Sequence, residues 1–306
     1  MRSTFTGVGT ALVTPFTTGG ALDEPAVRRL ARRQIAAGVH FLVPCGTTGE
    51  SPTLSDDERR RVVEIVVEEA AGRALVLAGA GGYDTREVAR AAAEMAHAGA
   101  NGILSVTPYY NRPTPEGLYR HYGAIAQATS LPIIVYNVPG RTGCNVDAAT
   151  LARLATISTV VGVKEASGNV TQMAEICRAV PESFLVLSGD DALTVPLMAI
   201  GGRGIISVAS NEAPAEMVQM VEAAERGDFA GARRWHDKLL PLMQVNFVES
   251  NPGPVKFAMA AMGLCEEEYR LPMVPPRPAS QERILGVLRD FGLPVVSDAA
   301  SAARRA

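Results

Sequence analysis

The sequence predicts an α/β protein, a (β/α)8 barrel of the TIM type with a C-terminal helical domain. Three observations carry that prediction. Short apolar runs alternate with amphipathic segments eight times in succession, the rhythm of strand–helix units. The runs are rich in Val, Ile and Leu without polar alternation, the composition of strands buried on both faces of a parallel sheet. Beyond Gly227 the strand rhythm stops and only helical patterns remain. The barrel is therefore assigned to residues 1–227 and the helical domain to 228–306.

Each element has its own signal. Gly7 to Val13 reads as the first strand, and a helix capped near Asp23 follows, with Val27, Leu30, Ala31 and Ile35 on one face. His40 to Val43 is the second strand, and after Gly46-Thr47-Thr48-Gly49-Glu50 comes a helix opened by a capping box, Ser55 with Glu58. Leu75 to Ala78, Gly102 to Val106 and Ile133 to Tyr136 are strands three to five. Helices over Asp84–Ala98 and Gly117–Thr129 separate them, and a fifth helix lies near Asp147 to Ala155. The sixth strand starts at Val160 and ends on Lys164, and a helix over Asn169–Val180 follows. Phe184 to Leu187, a short helix near Leu193 to Ile200, Gly204 to Val208 and a helix over Pro214–Arg226 complete the series. Asp228 to Met243, Pro254 to Met262 and Gln281 to Phe291 read as the later helices. Leu271 to Pro278 is a proline-rich connector, and Ser297 to Ala306 a small-residue tail expected to be mobile.

The same alternation would also suit a doubly wound sheet. Its phosphate fingerprints are weak here. Gly79-Ala80-Gly81-Gly82 lacks the third spaced glycine, and Gly201-Gly202-Arg203-Gly204 precedes a strand instead of following one, so both read as turn chemistry.

Composition narrows the function. A chain of 306 residues with 47% hydrophobic and 20% charged residues is a globular protein, and a net charge of −3 offers no basic footprint for nucleic acid or anionic membrane. Small-molecule partners are expected. Four cysteines and four histidines are scattered without a C-x-x-C pair, so neither a zinc site nor a disulfide framework is expected. No apolar run of spanning length and no leader pattern appears, which predicts a cytoplasmic protein.

Lys164 stands out chemically. It is one of only three lysines, with Lys238 and Lys256, in a chain that uses arginine freely as its cation. An amine partly removed from water loses its proton more readily and becomes a nucleophile toward carbonyls, which arginine cannot do. The same position also suits a structural pair with Glu165. In a barrel, catalytic groups gather at the carboxyl ends of strands. There the sequence places Thr47 and Thr48 between glycines, Tyr109 and Tyr110, Tyr136, Arg141 and Lys164. Together these supply a nucleophilic amine, phenols for proton transfer, and hydroxyl and guanidinium donors for carboxylates. Singly, each is equally readable as a turn hydroxyl, a packing pair or a surface ion pair. Their shared placement at strand ends favours a site.

Five segments, Gly46 to Ser51, Thr107 to Asn111, Tyr136 to Gly143, Val163 to Asn169 and Ser188 to Asp191, resemble in order the motifs of the dihydrodipicolinate synthase and N-acetylneuraminate lyase family. The resemblance runs from about Gly7 to Met262. It implies a lyase that forms a Schiff base between Lys164 and pyruvate on a TIM barrel, without metal or organic cofactor. It further implies that Tyr136 transfers protons, relayed by Thr47 and Tyr110, with Tyr110 reaching in from a neighbouring subunit of a homotetramer built as a dimer of dimers. Thr48 would hold the pyruvate carboxylate, and Ile206, through its main-chain carbonyl, and Gly189 would complete the substrate pocket. Arg141 matches the arginine of the branch that receives the carboxylate of aspartate semialdehyde in diaminopimelate and lysine biosynthesis. Sister aldolases acting on sugar acids or 4-hydroxy-2-oxoglutarate, and a non-catalytic 2-oxo-acid-binding protein, are the alternatives. Lys256 lies outside the barrel repeat and is expected to be structural.

Family members inhibited by lysine bind it at a subunit interface, and Ser51, Glu87 and Tyr109 suit such a site. Asp56, Arg59 and Tyr83 stand where sensitive members tend to carry histidine, histidine and asparagine. The changes in charge and volume predict weak or absent inhibition.

Overall fold

The computed structural model describes residues 4–296. Eight parallel strands close a barrel in chain order, with β8 returning to β1. They are β1 (Gly7–Ala11), β2 (Phe41–Val43), β3 (Leu75–Gly79), β4 (Gly102–Val106), β5 (Ile133–Asn137), β6 (Val160–Glu165), β7 (Leu185–Ser188) and β8 (Gly204–Ser207). The outer helices are α1 (Glu24–Ala36), α2 (Asp56–Ala70), α3 (Thr85–His97), α4 (Pro115–Ala128), the one-turn α5 (Pro139–Thr142), α6 (Ala148–Leu154), α7 (Val170–Ala179), α8 (Thr194–Ala199) and α9 (Pro214–Glu225). Three further helices follow, α10 (Phe229–Val245), α11 (Gly253–Ala261) and α12 (Pro278–Phe291), with α10 packed on α9 and α12. The fold is the predicted (β/α)8 TIM barrel with C-terminal helices, and the doubly wound alternative is excluded by closure. The tail expected to be mobile, 297–306, lies outside the described residues.

Element boundaries shift where capping chemistry outweighs periodicity. The helix expected from Gly117 starts at Pro115, because the Thr114 side chain accepts the Gly117 N–H and proline suits the first turn. The last helix starts on Pro278 instead of Gln281 without a side-chain cap, proline again suiting the first turn. The Pro139–Thr142 stretch closes into α5 and ends on Gly143 at φ 67°. The capping box at Ser55 and Glu58 is present in both directions.

Strand alternation sorts side chains into two layers. Val8, Leu42, Ile103, Val135 and Val163 face the helices, and Phe41, Leu77, Leu104, Ile134 and Leu187 fill the barrel. Two rings occupy its interior, Phe5 and Phe41, edge to face with centroids 5.5 Å apart. Glycines make room for them: a Cβ on Gly9 would stand 2.0 Å from the Phe41 ring, and one on Gly102 would stand 2.6 Å from that of Phe5. Each buried ring is worth about 1.5–3 kcal/mol of apolar transfer, and the two together fill the barrel below the site.

One irregularity matters for the site. Ile133 pairs with Val160 but Ile134 pairs with Gly162, so Val161 is an extra residue in β6. Val160 faces the helices, and strict alternation would send Lys164 the same way. The bulge reverses the parity and turns Lys164 into the barrel. Gly162 permits the close approach, because a Cβ there would lie 2.6 Å from the Leu185 carbonyl oxygen.

Candidate active site

The carboxyl ends of β5 and β6 are in register, Tyr136 beside Lys164. Lys164 is buried, 6% exposed, and its Nζ lies 4.2 Å from the centroid of the Tyr136 ring. No ion pair reaches it among the described residues. The alternative pairing with Glu165 does not form, because adjacent strand residues point to opposite faces. Glu165 turns outward, where its carboxylate accepts from Asn137 Nδ2 at 2.8 Å and from the Ser167 N–H at 2.8 Å. A small residue across the way keeps space for the amine: a Cβ on Gly189 would stand 3.1 Å from Lys164 Cε.

Tyr136 also lines a cavity of about 270 Å3, which takes in Thr47, Arg141 and Tyr109. Cys45 borders it too, but burial pushes its thiol up to about 12, which removes it as a nucleophile. Thr47, Tyr136 and Arg141 are thus brought together around one space, with the Lys164 amine on the Tyr136 ring. Lys164 itself, Thr48, Gly189, Ile206 and Tyr110 do not line that space. Ile206 is in the barrel interior on β8. Thr48 is buried beneath the loop, where its Oγ1 accepts from Asn251 Nδ2 at 3.0 Å. Tyr110 is 93% exposed, at a φ of 72°.

The loop carrying the two threonines is shaped by its glycines and by distant chain. The Gly49 carbonyl accepts from Thr14 Oγ1 at 2.7 Å, and the Glu50 N–H donates to the Thr47 carbonyl at 3.1 Å. Glu50 sits in the left-handed region at φ 51° and turns its carboxylate onto Lys256 Nζ at 2.5 Å. Arg270 donates to Glu58 and to the Thr53 and Gly20 carbonyls, closing the C-terminal segment over the loop.

Sequence reasoning missed Asn251. It donates to Thr48, and its main-chain carbonyl accepts from Arg141 Nη2 at 3.0 Å. The only signal was the Asn251-Pro252-Gly253-Pro254 turn chemistry, which says nothing of contacts made more than a hundred residues away.

A second cavity of about 330 Å3 adjoins the first across Arg59, Gly81 and Tyr109 and includes Asp56, Tyr83 and Glu87. Tyr83 and Tyr109 meet edge to face at 5.3 Å. Burial, then the neighbouring Tyr83, push the Tyr109 hydroxyl's pKa up. Asp56 accepts from Arg59 and from Arg90, the latter at 2.7 Å, and Arg90 also reaches Glu87 at 2.7 Å. Its bond from Arg90 holds the Asp56 carboxyl below the usual range. No group of three or more candidate metal ligands occurs among the described residues.

Comparison with known proteins identifies the family. The model of the dihydrodipicolinate synthetase family matches residues 4–289. A 4-hydroxy-tetrahydrodipicolinate synthase of Koribacter versatilis is 51% identical over 288 residues, 94% of this chain and 96% of the relative. Among solved structures, dihydrodipicolinate synthase of Aquifex aeolicus superposes with a TM-score of 0.94 at 43% identity, covering 96% of this chain and 100% of that one. The chloride-inhibited enzyme of Acinetobacter baumannii, complexed with pyruvate, gives a TM-score of 0.94 at 40% identity over 95% of this chain and 100% of its own.

Proposed function

The chain belongs to the dihydrodipicolinate synthetase family, and from that premise we propose how its residues carry the reaction. It is a pyruvate-dependent lyase that condenses pyruvate with L-aspartate 4-semialdehyde to 4-hydroxy-tetrahydrodipicolinate, within diaminopimelate and lysine biosynthesis. The single observation that carries the residue assignment is a buried lysine amine without a counter-charge, in register with a tyrosine at the mouth of a closed barrel. Lys164 Nζ attacks C2 of pyruvate, the carbonyl oxygen leaves as water, and a protonated imine remains. That imine draws electrons from the methyl carbon, which loses a proton and becomes the enamine nucleophile. The carbon attacks the aldehyde of the second substrate, and the product's own amine then adds at the imine carbon, closes the ring and releases Lys164.

Tyr136 moves the protons of these steps, because it is the phenol nearest the amine. Thr47, beside it on the cavity wall, extends the relay. Tyr110 completes it in a neighbouring subunit's site, a role supported by its exposure and its position outside its own cavity. That reading requires at least a dimer, and a homotetramer built as a dimer of dimers satisfies it. Thr48 holds the pyruvate carboxylate, Ile206 offers its main-chain carbonyl, Gly189 leaves room for the imine, and Arg141 takes the semialdehyde carboxylate with its planar donors. The division at Gly227 into a catalytic barrel and a helical domain follows the end of α9. We assign the reaction to the cytoplasm, where free cysteines such as Cys45 and Cys265 stay reduced.

Intact-protein mass after pyruvate and borohydride treatment tests the assignment, with a coupled semialdehyde assay alongside. The wild type is expected to gain one pyruvate adduct that Lys164→Ala does not. An adduct without turnover of aspartate semialdehyde would transfer the chemistry to another aldehyde, and no adduct would remove the imine altogether.

Free lysine is expected to inhibit weakly at the second cavity. Arg59 and Arg90 already neutralise Asp56 and Glu87, so an incoming ammonium finds little uncompensated charge. Initial rates measured across sub-millimolar lysine are expected to stay flat, and a clear loss there overturns this.

A further inference from the structure

Two carboxylate-binding groups of the proposed site come from different loops, Thr48 after β2 and Arg141 after β5. The side chain of one is joined to the side chain of the other through a single residue of the C-terminal segment. Asn251, 4% exposed, donates from Nδ2 to Thr48 Oγ1 at 3.0 Å, while its main-chain carbonyl accepts from Arg141 Nη2 at 3.0 Å. A hydroxyl that accepts one hydrogen bond keeps its own hydrogen for another. Thr48 is 3% exposed, and its hydroxyl has no acceptor among the described residues. The bond from the amide therefore leaves the Thr48 hydrogen free to donate, the state that a carboxylate requires. On the other side, the carbonyl uses one guanidinium N–H and leaves the remaining donors of the Arg141 fork free.

We propose that Asn251 is a positioning residue that orients the Thr48 hydroxyl toward the carboxylate of pyruvate and Arg141 toward that of the semialdehyde. It thereby links the two substrate subsites. The segment around Asn251 is held by its neighbours, while its own amide oxygen is buried without a partner among the described residues, so the bond to Thr48 is what orients the amide. Five residues on, Lys256 is clamped to Glu50, and Tyr269 OH donates to the Gly253 carbonyl at 3.2 Å. The C-terminal helical segment thus enters the chemistry of the barrel through its polarity, at a residue that touches neither substrate in this assignment.

The inference rests on the pyruvate and semialdehyde assignments above. Its test compares Asn251→Asp with Asn251→Ala. Aspartate has the same shape but no donor, so it turns the Thr48 hydroxyl around to donate inward and sets a like charge near the pyruvate carboxylate. The pyruvate KM is expected to rise about tenfold or more in Asn251→Asp and less in Asn251→Ala. kcat at saturating pyruvate is expected to change by less than about threefold, because the amine and phenol are untouched. In a Thr48→Val background, Asn251→Ala is expected to have no further effect on the pyruvate KM. Where Asn251→Asp does not fold, that cycle with alanine carries the test alone.

A merely structural role predicts the reverse order, the isosteric aspartate being milder than alanine, and that order overturns the proposal. So does an unchanged pyruvate KM in both variants, or an alanine effect that persists when Thr48 is Val. Borohydride trapping with pyruvate on the same preparations separates the two levels. No adduct in the wild type overturns the Schiff-base assignment, whereas adducts throughout with unchanged KM overturn only the role of Asn251.

Discussion

Lys164 and Lys256 are two buried lysines in one chain, and they differ in what faces them. Lys256 is fully buried against Glu50 and the face of Phe16, whose ring centroid is 4.1 Å from its Nζ. Burial pushes its pKa down, and the Glu50 carboxylate pulls it back up. Lys164 lies on the Tyr136 ring with no carboxylate beside it, at the edge of the barrel mouth. Desolvation is common to both, so it does not by itself make a nucleophile. What separates them is an unoccupied amine with a proton-transfer partner, against an amine whose charge completes a buried pair.

The largest expected effect tests the reactive side of that contrast. Lys164→Ala is expected to lower kcat/KM by at least about a thousandfold. Its melting temperature should stay equal to the wild type's or rise, because a buried polar amine with no ion-pair partner among the described residues is removed. A loss of stability as large as the loss of activity would make Lys164 a structural residue. Gly189→Ala narrows the same space, since the new Cβ meets Lys164 and would lie 2.6 Å from the Ala166 Cβ. It is expected to slow pyruvate adduct formation by about tenfold to a hundredfold with the fold intact by circular dichroism. Adduct formation at the wild-type rate would show the amine to be less confined than the geometry indicates.

Lys256→Ala should behave in the opposite way. It leaves Glu50 buried without its partner, and urea unfolding is expected to show a loss of about 3–5 kcal/mol. Lys256→Met combined with Glu50→Gln should recover most of that stability, because the double change removes both charges. If the double variant is as unstable as the single one, the pair contributes packing beyond its charge compensation.

Glu212 offers a third buried ionisable group, intermediate between the two. It is fully buried, accepts from Asn246 Nδ2 at 2.5 Å, and keeps its other carboxylate oxygen unpartnered among the described residues. Burial pushes its carboxyl up to about 8, the Asn246 bond and Arg33 opposing that rise and Asp191 adding to it. An unfolded glutamate ionises near 4.5, so the folded state keeps the proton across the interval up to about 8. Stability is lost as pH rises through that window and is level above it. Glu212→Gln is therefore expected to gain about 1–3 kcal/mol over the wild type at pH 8 and little at pH 4.5. Thermal melts across that range check it, and a gain independent of pH would assign the effect to packing.

Much of this was legible along the chain. Apolar runs of strand length, helix caps at Asp23 and Ser55, and the failure of the phosphate fingerprints to complete themselves sufficed for the barrel, because each depends on residues within a few positions of one another. Lys164, Tyr136, Thr47 and Arg141 were legible because a parallel barrel sends its strand ends to one face, so position along the strand already implies convergence. The early start of α4 was missed through local capping, where the Thr114 side-chain bond outweighs periodicity, and the Pro139–Thr142 turn of helix is too short for periodicity to register.

The sequence by itself determined which residue types stand at the strand ends and that they converge. Only the tertiary structure decided which way Lys164 points, since that depends on an extra residue at Val161 visible only in the pairing of β6 with β5. It likewise decided that Glu165 faces Asn137, that Glu50 takes Lys256, and that Asn251 joins Thr48 to Arg141. These are contacts between side chains far apart in the chain. Periodicity carries no information about them, because it records which face a residue occupies and not what arrives opposite it.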